Sequence, residues 1–223
     1  MYVNMKCNHF IGIATAAVLV LTGSNFFAQA KVAPSTFDDL VKYADLIVIA
    51  DVIDIHLEKK TAIAEAKITE TLKGDSKLTT AYFLASPTWT CDISTANKGE
   101  NVLLFLNTVK DRPEVNERAK RFERPVQLPN EGYDPLFVLS DFGRGYMPIQ
   151  AVEGKPHADV YTLEVLLPDS IKQRAFPDEK DWFHTLADLD GLKAQIRNET
   201  ESKRHTNLET DSQSAASNKS ETK

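Results

Sequence analysis

Leu46-Ile-Val-Ile-Ala-Asp-Val-Ile-Asp-Ile-His-Leu-Glu58, with the chain that follows it to Leu84, decides the fold. Leu46 to Ala50 is a continuous aliphatic run, and beyond it Ile53, Ile55 and Leu57 alternate with Asp54, His56 and Glu58. That pattern predicts a strand buried on both faces at its start and on one face at its end. Ala62, Ala64, Ala66, Ile68 and Leu72 then fall on one face, opposite Glu65, Lys67, Thr69 and Thr71. Alanine and glutamate also favour helix, but the nearly unbroken alternation decides for strand. Glu58 to Thr61 is polar and short enough for a hairpin connection. Lys73-Gly74-Asp75 supplies a turn, and Leu78 to Leu84, with Thr79, Thr80, Tyr82 and Phe83, predicts a third strand.

Just upstream, Ser35 or Thr36 is placed to cap a helix, with Asp38 and Asp39 in its acidic first turn. Phe37, Leu40, Val41 and Ala44 follow at helical spacing. The helix ends near Asp45, runs straight into the first strand and needs a sheet to pack on. Further upstream, residues 1–30 have a short lead with Lys6, an apolar core from Phe10 to Leu21 and small residues at Ala28 and Ala30. Such an order reads as a cleaved secretory signal. Its apolar core is too short for the ~20 residues a membrane span requires. Export is therefore expected, to the periplasm or the medium, with no stable membrane anchor after cleavage. Cys91 is then the one remaining thiol in an oxidising compartment. It reads as a small buried hydrophobe, a link to another chain, or a nucleophile.

Downstream of Leu84, residues 86–98 read as a loop holding Trp89, Cys91 and Asp92, and Val102 to Leu106 reads as a central strand. From Asn107 to Asp134 a charged, proline-interrupted insertion carries Arg112, Arg118, Arg121 and Arg124 among glutamates. Pro113 is positioned to start a short exposed helix through Lys120. Pro135 to Leu139, Tyr146 to Val152 and Val160 to Leu167 predict three more strands. Asp141-Phe-Gly143 resembles a kinase metal-binding triplet, but no glycine-rich nucleotide loop or catalytic loop accompanies it, so it reads as a glycine turn. Trp182, Leu186, Leu189, Leu192 and Ile196 recur at helical steps after Pro177, with Gly191 as a weak point. From Glu199 onward the composition predicts disorder.

The net charge of -6 argues against nucleic-acid binding. No nucleophile elbow, zinc-protease helix, phosphate loop or dinucleotide fingerprint is present. His56, His157 and His184 lack metal-ligand spacing, so neither a metal nor a cofactor is expected. A nucleophilic Cys91 would need His157 or His184, oriented by Asp92 or Asp159.

Phe37-Asp-Asp-Leu-Val-Lys-Tyr-Ala-Asp45, Thr71-Leu-Lys-Gly-Asp75, Trp89-Thr-Cys-Asp92 and Lys98-Gly-Glu-Asn-Val-Leu-Leu-Phe-Leu106, with the strand from Leu46, together resemble bacterial secreted domains similar to tissue inhibitors of metalloproteinases. The resemblance covers about Thr36 to Leu106 and implies a netrin-like, OB-type barrel that binds a partner. Inhibitors of that family chelate the protease zinc through a mature N-terminal cysteine. Here the expected mature start is Lys31-Val-Ala-Pro34, and only Cys91 remains of the cysteines. The expected architecture is a mainly β chain: a signal over 1–30, a small OB-like antiparallel barrel with an N-terminal helix over 31–176, a C-terminal helix packed on it over 177–198, and a disordered tail over 199–223. The expected activity is non-catalytic binding of a protein or glycan partner through Trp89, Cys91, Asp92, Arg118, Arg121 and Arg124. A secreted hydrolase using Cys91 is the alternative.

Overall fold

The structure is a computed structural model and describes residues 33–58, 61–85, 96–121, 127–141, 143–176 and 183–202. Thr36 caps helix α1 (Phe37–Tyr43), its hydroxyl accepting from Asp39 N–H at 3.1 Å and donating to the Asp39 carboxylate. Lys73 Nζ closes the other end, donating to the carbonyls of Val41 at 2.7 Å and Ala44 at 2.6 Å. A lysine there satisfies the helix's orphan carbonyls and complements its dipole. The Lys-Gly turn thus has a second role, fastening α1 to the barrel.

The quoted stretch forms β2 (Leu46–Glu58), β3 (Thr61–Lys73) and β4 (Thr80–Leu84). With β5 (Asn101–Thr108) and β6 (Leu136–Leu139) they close a five-stranded barrel in the order β2-β3-β4-β6-β5. Every pair is antiparallel except β4–β6, which is parallel, giving the Greek-key arrangement of an OB barrel. Leu46, Val48, Ala50 and Val52 point into it beside Ala64, Ala66, Ala81, Phe83 and Leu104. The interior of a barrel this narrow has room for small side chains on some strands. That need for small side chains accounts for the alanines that made β3 look partly helical. Register shifts in the β2–β3 pairing leave Ile53, Thr69 and Leu72 without a cross-strand partner, and such bulges bend strands enough to close. Leu72 consequently leaves the barrel face that the alternation assigned to it and packs with α1's core instead.

β2 from Leu46 to Ala50 and β5 from Val102 to Leu106 are buried on both faces. Their outward side chains Ile47, Ile49, Leu103 and Phe105 meet Phe37, Leu40 and Val41 of α1, with Phe37 edge-on to Phe105 at 5.5 Å. The same outer core includes Ala158, Val160 and Ala187 from a sheet extension. β7 (Tyr146–Val152) pairs with β5 and leads to β8 (Lys155–Tyr161), then β11 (His184–Asp188) and β10 (Gln173–Ala175). Two further residues each from β1 (Ser35–Thr36) and β9 (Val165–Leu166) pair in parallel.

Three expectations are corrected. The strand expected over Val160–Leu167 stops at Tyr161, where a turn closed by Glu164 N–H bonding Tyr161 O at 3.1 Å ends it, and only Val165–Leu166 is extended again. The third barrel strand begins at Thr80, not Leu78. Of the helix expected over 177–198, residues 177–182 lie outside the described residues, His184–Asp188 are strand, and the helix α3 runs from 189 to 202, taking in the first residues assigned to the tail. Asp188 is its N-cap, accepting from Gly191 N–H at 2.8 Å. Gly191 therefore sits in the first turn and does not split the helix, and Leu186, three residues before Leu189, is on β11.

The insertion carries the expected short helix. α2 (Arg112–Arg121) is capped by Asp111, whose carboxylate accepts from Glu114 N–H at 3.0 Å. Its Ala119, with Leu128, is buried against Ile63, Leu84 and Leu136 on the outer wall of β3, β4 and β6. Arg112 holds the return path, donating to Pro129 O at 2.9 Å, Gly132 O at 2.7 Å and Asp134 Oδ1 at 2.5 Å.

Candidate functional site

OB barrels commonly bind through the face of their second and third strands and the loops beside it. In this chain that face is the outer wall of β3 and β4, and the insertion covers it. Tyr133 is laid against Tyr82, ring centroids 5.4 Å apart, and donates to Glu58 Oε1 at 2.9 Å. Both the bond to Glu58 and burial push its phenol pKa up. His56 stands beside it, 2.8 Å from Glu65. Aromatic surface that would otherwise be open to a ligand is occupied by the chain's own residues.

A concavity rich in polar and aromatic groups lies on another flank, a cleft of about 330 Å³ where the segment leading into β5 meets β7, β8 and β11. Its base is built from the turn after β6. Gly143 and Asp141 adopt positive φ, and Arg144 N–H bonds Asp141 O. Arg144 is thereby folded inward until 4% of its surface is exposed. Nε donates to Glu164 Oε2 at 2.6 Å, and Nη1 to Asp141 Oδ2 at 2.9 Å and Ser35 Oγ at 2.8 Å. Ser35 in turn donates to Asp141. Burial alone disfavours the guanidinium, but the two carboxylates outweigh it and raise its pKa.

Tyr146 forms the barrel side of the cleft. Its hydroxyl donates to Glu100, whose carboxylate also accepts from Asn97 N at 3.1 Å and Nδ2 at 2.9 Å. Burial first, and that carboxylate second, drive the phenol pKa far above its ordinary value. On the sheet side, His184 Nδ1 lies 2.7 Å from Asp159 Oδ1. An ionised carboxylate only accepts, so in that pair the proton is on Nδ1. His184 also belongs to an aromatic row, 5.1 Å from Tyr161 and 5.6 Å from Phe176 by ring centroid.

Of the residues singled out from sequence, Trp89, Cys91, Asp92 and Arg124 lie outside the described residues, as does the Arg118 side chain. Arg121 is exposed on α2, away from any partner that brings it to the cleft, and Arg112 is committed to the insertion's own carbonyls. His184 and Asp159 come together, while His157 does not join them. It faces Asp188 at the far end of the β8–β11 ladder, four pairs from the His184–Tyr161 pair, with Nδ1 3.0 Å from Lys155 O. Glu100, Arg144, Tyr146 and Glu164 were not expected. The Gly143-Arg-Gly145 context was the available signal, since an arginine between two glycines is one the backbone can fold inward. Among the described residues no group of three or more His, Cys, Asp and Glu is placed to hold a metal ion, and no helix is long and apolar enough to cross a membrane.

No protein-family model matches the chain, and no curated protein matches it. Function therefore rests on the geometry.

Proposed function

We propose that the chain is an exported, non-catalytic binding module, an OB-type barrel that takes part of a protein or glycan partner into the cleft beside β5, β7, β8 and β11. One observation carries this reading. Each polar group at the cleft's base is already held by a partner within the chain, so the cleft is preformed and ordering it costs a ligand little. Export rests on the residues 1–30 pattern, and the likeness to metalloproteinase-inhibitor domains on the residues of the barrel; the Lys31 start argues for binding without zinc chelation. Trp89, Cys91 and Asp92 belong to this proposal through the chain itself, because Asn97, which lines the cleft, follows Asp92 by five residues.

The test is a screen of immobilised peptides and neutral oligosaccharides with the chain from Lys31 and with its Tyr161→Ala and Trp89→Ala variants. A ligand whose retention drops about tenfold in Tyr161→Ala supports the cleft; ligands bound equally by all three proteins refute it. Unchanged binding by Trp89→Ala alone removes that loop from the surface.

The hydrolase reading has one observation in its favour. The Asp159–His184 pair is the oriented base that a thiolate nucleophile requires. Rapid alkylation of Cys91 at neutral pH, slowed by His184→Ala, supports it. A thiol that reacts only after unfolding removes it.

A further inference from the structure

The cleft's chemistry narrows the ligand, if the binding-module reading holds. Among the described residues three carboxylates, Glu100, Asp159 and Glu164, line it against a single guanidinium, and Arg144's charge is already matched by Asp141 and Glu164. Among the described residues Glu100 is paired with neutral donors, Tyr146 and Asn97. Asp159 is paired with an imidazole. The cleft therefore keeps uncompensated negative charge in a concave, partly desolvated setting, where a field acts more strongly than on open surface.

The second ingredient is aromatic. Phe176, His184, Tyr161 and Phe183 form a continuous row, with neighbouring centroids 5.6, 5.1 and 6.1 Å apart, and each ring is part-exposed. Ring faces attract cations and accept the methylene stems of lysine and arginine. The third is apolar. Leu163 and Leu166, the chain neighbours of the cleft residues Glu164 and Val165, are 43% and 50% exposed. Exposed apolar residues this near in the chain suit a polypeptide ligand better than a free amine.

We infer that the ligand is a basic segment of a protein partner, which lays a lysine or arginine side chain along Tyr161 and His184 with its charge facing Glu100, Asp159 and Glu164. A neutral sugar would use the aromatic row but leave the negative charge unmatched. An acidic glycan or a nucleic acid would be repelled.

The experiment is a ¹H–¹⁵N NMR titration of the chain from Lys31 with a capped peptide of alternating glycine and arginine. Glycine–glutamine and glycine–glutamate peptides of equal length and a neutral chito-oligosaccharide serve as parallel probes. The expected result is that the arginine peptide alone shifts the amides of Tyr161, Glu164 and His184. Its affinity should fall with added salt and drop about three- to tenfold in Asp159→Asn and again in Glu100→Gln. The amide spectrum of each variant reports directly whether it is folded, and Asp159→Asn, in a part-buried pair with His184, serves if Glu100→Gln is not. Equal binding of the glutamine peptide, or arginine-peptide binding indifferent to both substitutions, overturns the inference. The oligosaccharide shifting the cleft amides while the arginine peptide does not also overturns it, yet leaves the binding module standing. Shifts confined to α2 and β4 with any probe sink both.

Discussion

Tyr146 and Arg144 do opposite things with buried polarity. The Tyr146 phenol has its pKa raised from about 10 by burial and by the Glu100 carboxylate it donates to. The folded chain holds that proton where the unfolded chain has released it. The resulting stabilisation is complete below pH 10 and is lost as pH rises above it. Tyr146→Phe removes the hydroxyl and its bond to Glu100, at a cost of about 1 kcal/mol at neutral pH. In urea titrations its unfolding free energy should fall less steeply above pH 10 than the wild type's, and parallel pH profiles would count against the account. Arg144 is charged throughout and bridges two carboxylates. Arg144→Met fills the space but leaves Asp141 and Glu164 facing each other without a cation, and about 3–5 kcal/mol should be lost. Chemical denaturation of that variant, with and without a compensating Glu164→Gln, separates charge from packing: partial recovery in the double variant is expected.

At the scale of elements, the closest approach of backbone is at Gly145. A Cβ there would stand 2.4 Å from Phe105 O, in the β5–β7 pairing, and no flexible side-chain end could yield. Gly145→Ala should destabilise by more than about 2 kcal/mol, and thermal unfolding measures it. The insertion makes a different prediction. Arg112→Ala removes three hydrogen bonds that return the chain over β3 and β4, so amide exchange should rise over 127–135 while β2 and β5 stay protected. Exchange rising evenly across the barrel would contradict this. Much of the element plan was legible in the sequence because binary patterns report burial. β2 was readable as a strand buried on two faces from Leu46 to Ala50, and α1 from Thr36 with its aspartates. What was not legible depended on partners far away in the chain. β11 places Thr185, Leu186 and Ala187 in buried positions on both faces, which erases period two. The chance spacing of Leu186 to Leu189 then imitates a helix. The cleft was illegible for the same reason: Glu100, Asp159 and Glu164 are ordinary surface-type residues until β5, β8 and the β1–β9 pairing bring them together. Only the His184–Asp159 candidates could be paired in advance, and then only as one option among several.

For the molecule as a whole, one outer core joins the barrel to the sheet extension. Leu192 and Ile196 of α3 are fully buried with Phe37 and Leu40 of α1, Ile47 of β2 and Val160 of β8. Leu192→Ala should cost about 2–5 kcal/mol. Unfolding followed by far-ultraviolet dichroism and by tyrosine fluorescence should still coincide, since neither half can lose this core alone. Separated transitions would show two independent units.

That shared core also sets an order of events during synthesis. Of the described helices α1 is the first to leave the ribosome and α3 the last, and Gln195 reaches back to Asp38 at 3.0 Å. Until α3 exists, the apolar side of α1 lacks part of its cover, and the early segments have no completed core in which to settle. Under the export proposed above, that delay would keep the chain threadable through a translocation channel for as long as its final helix is unmade.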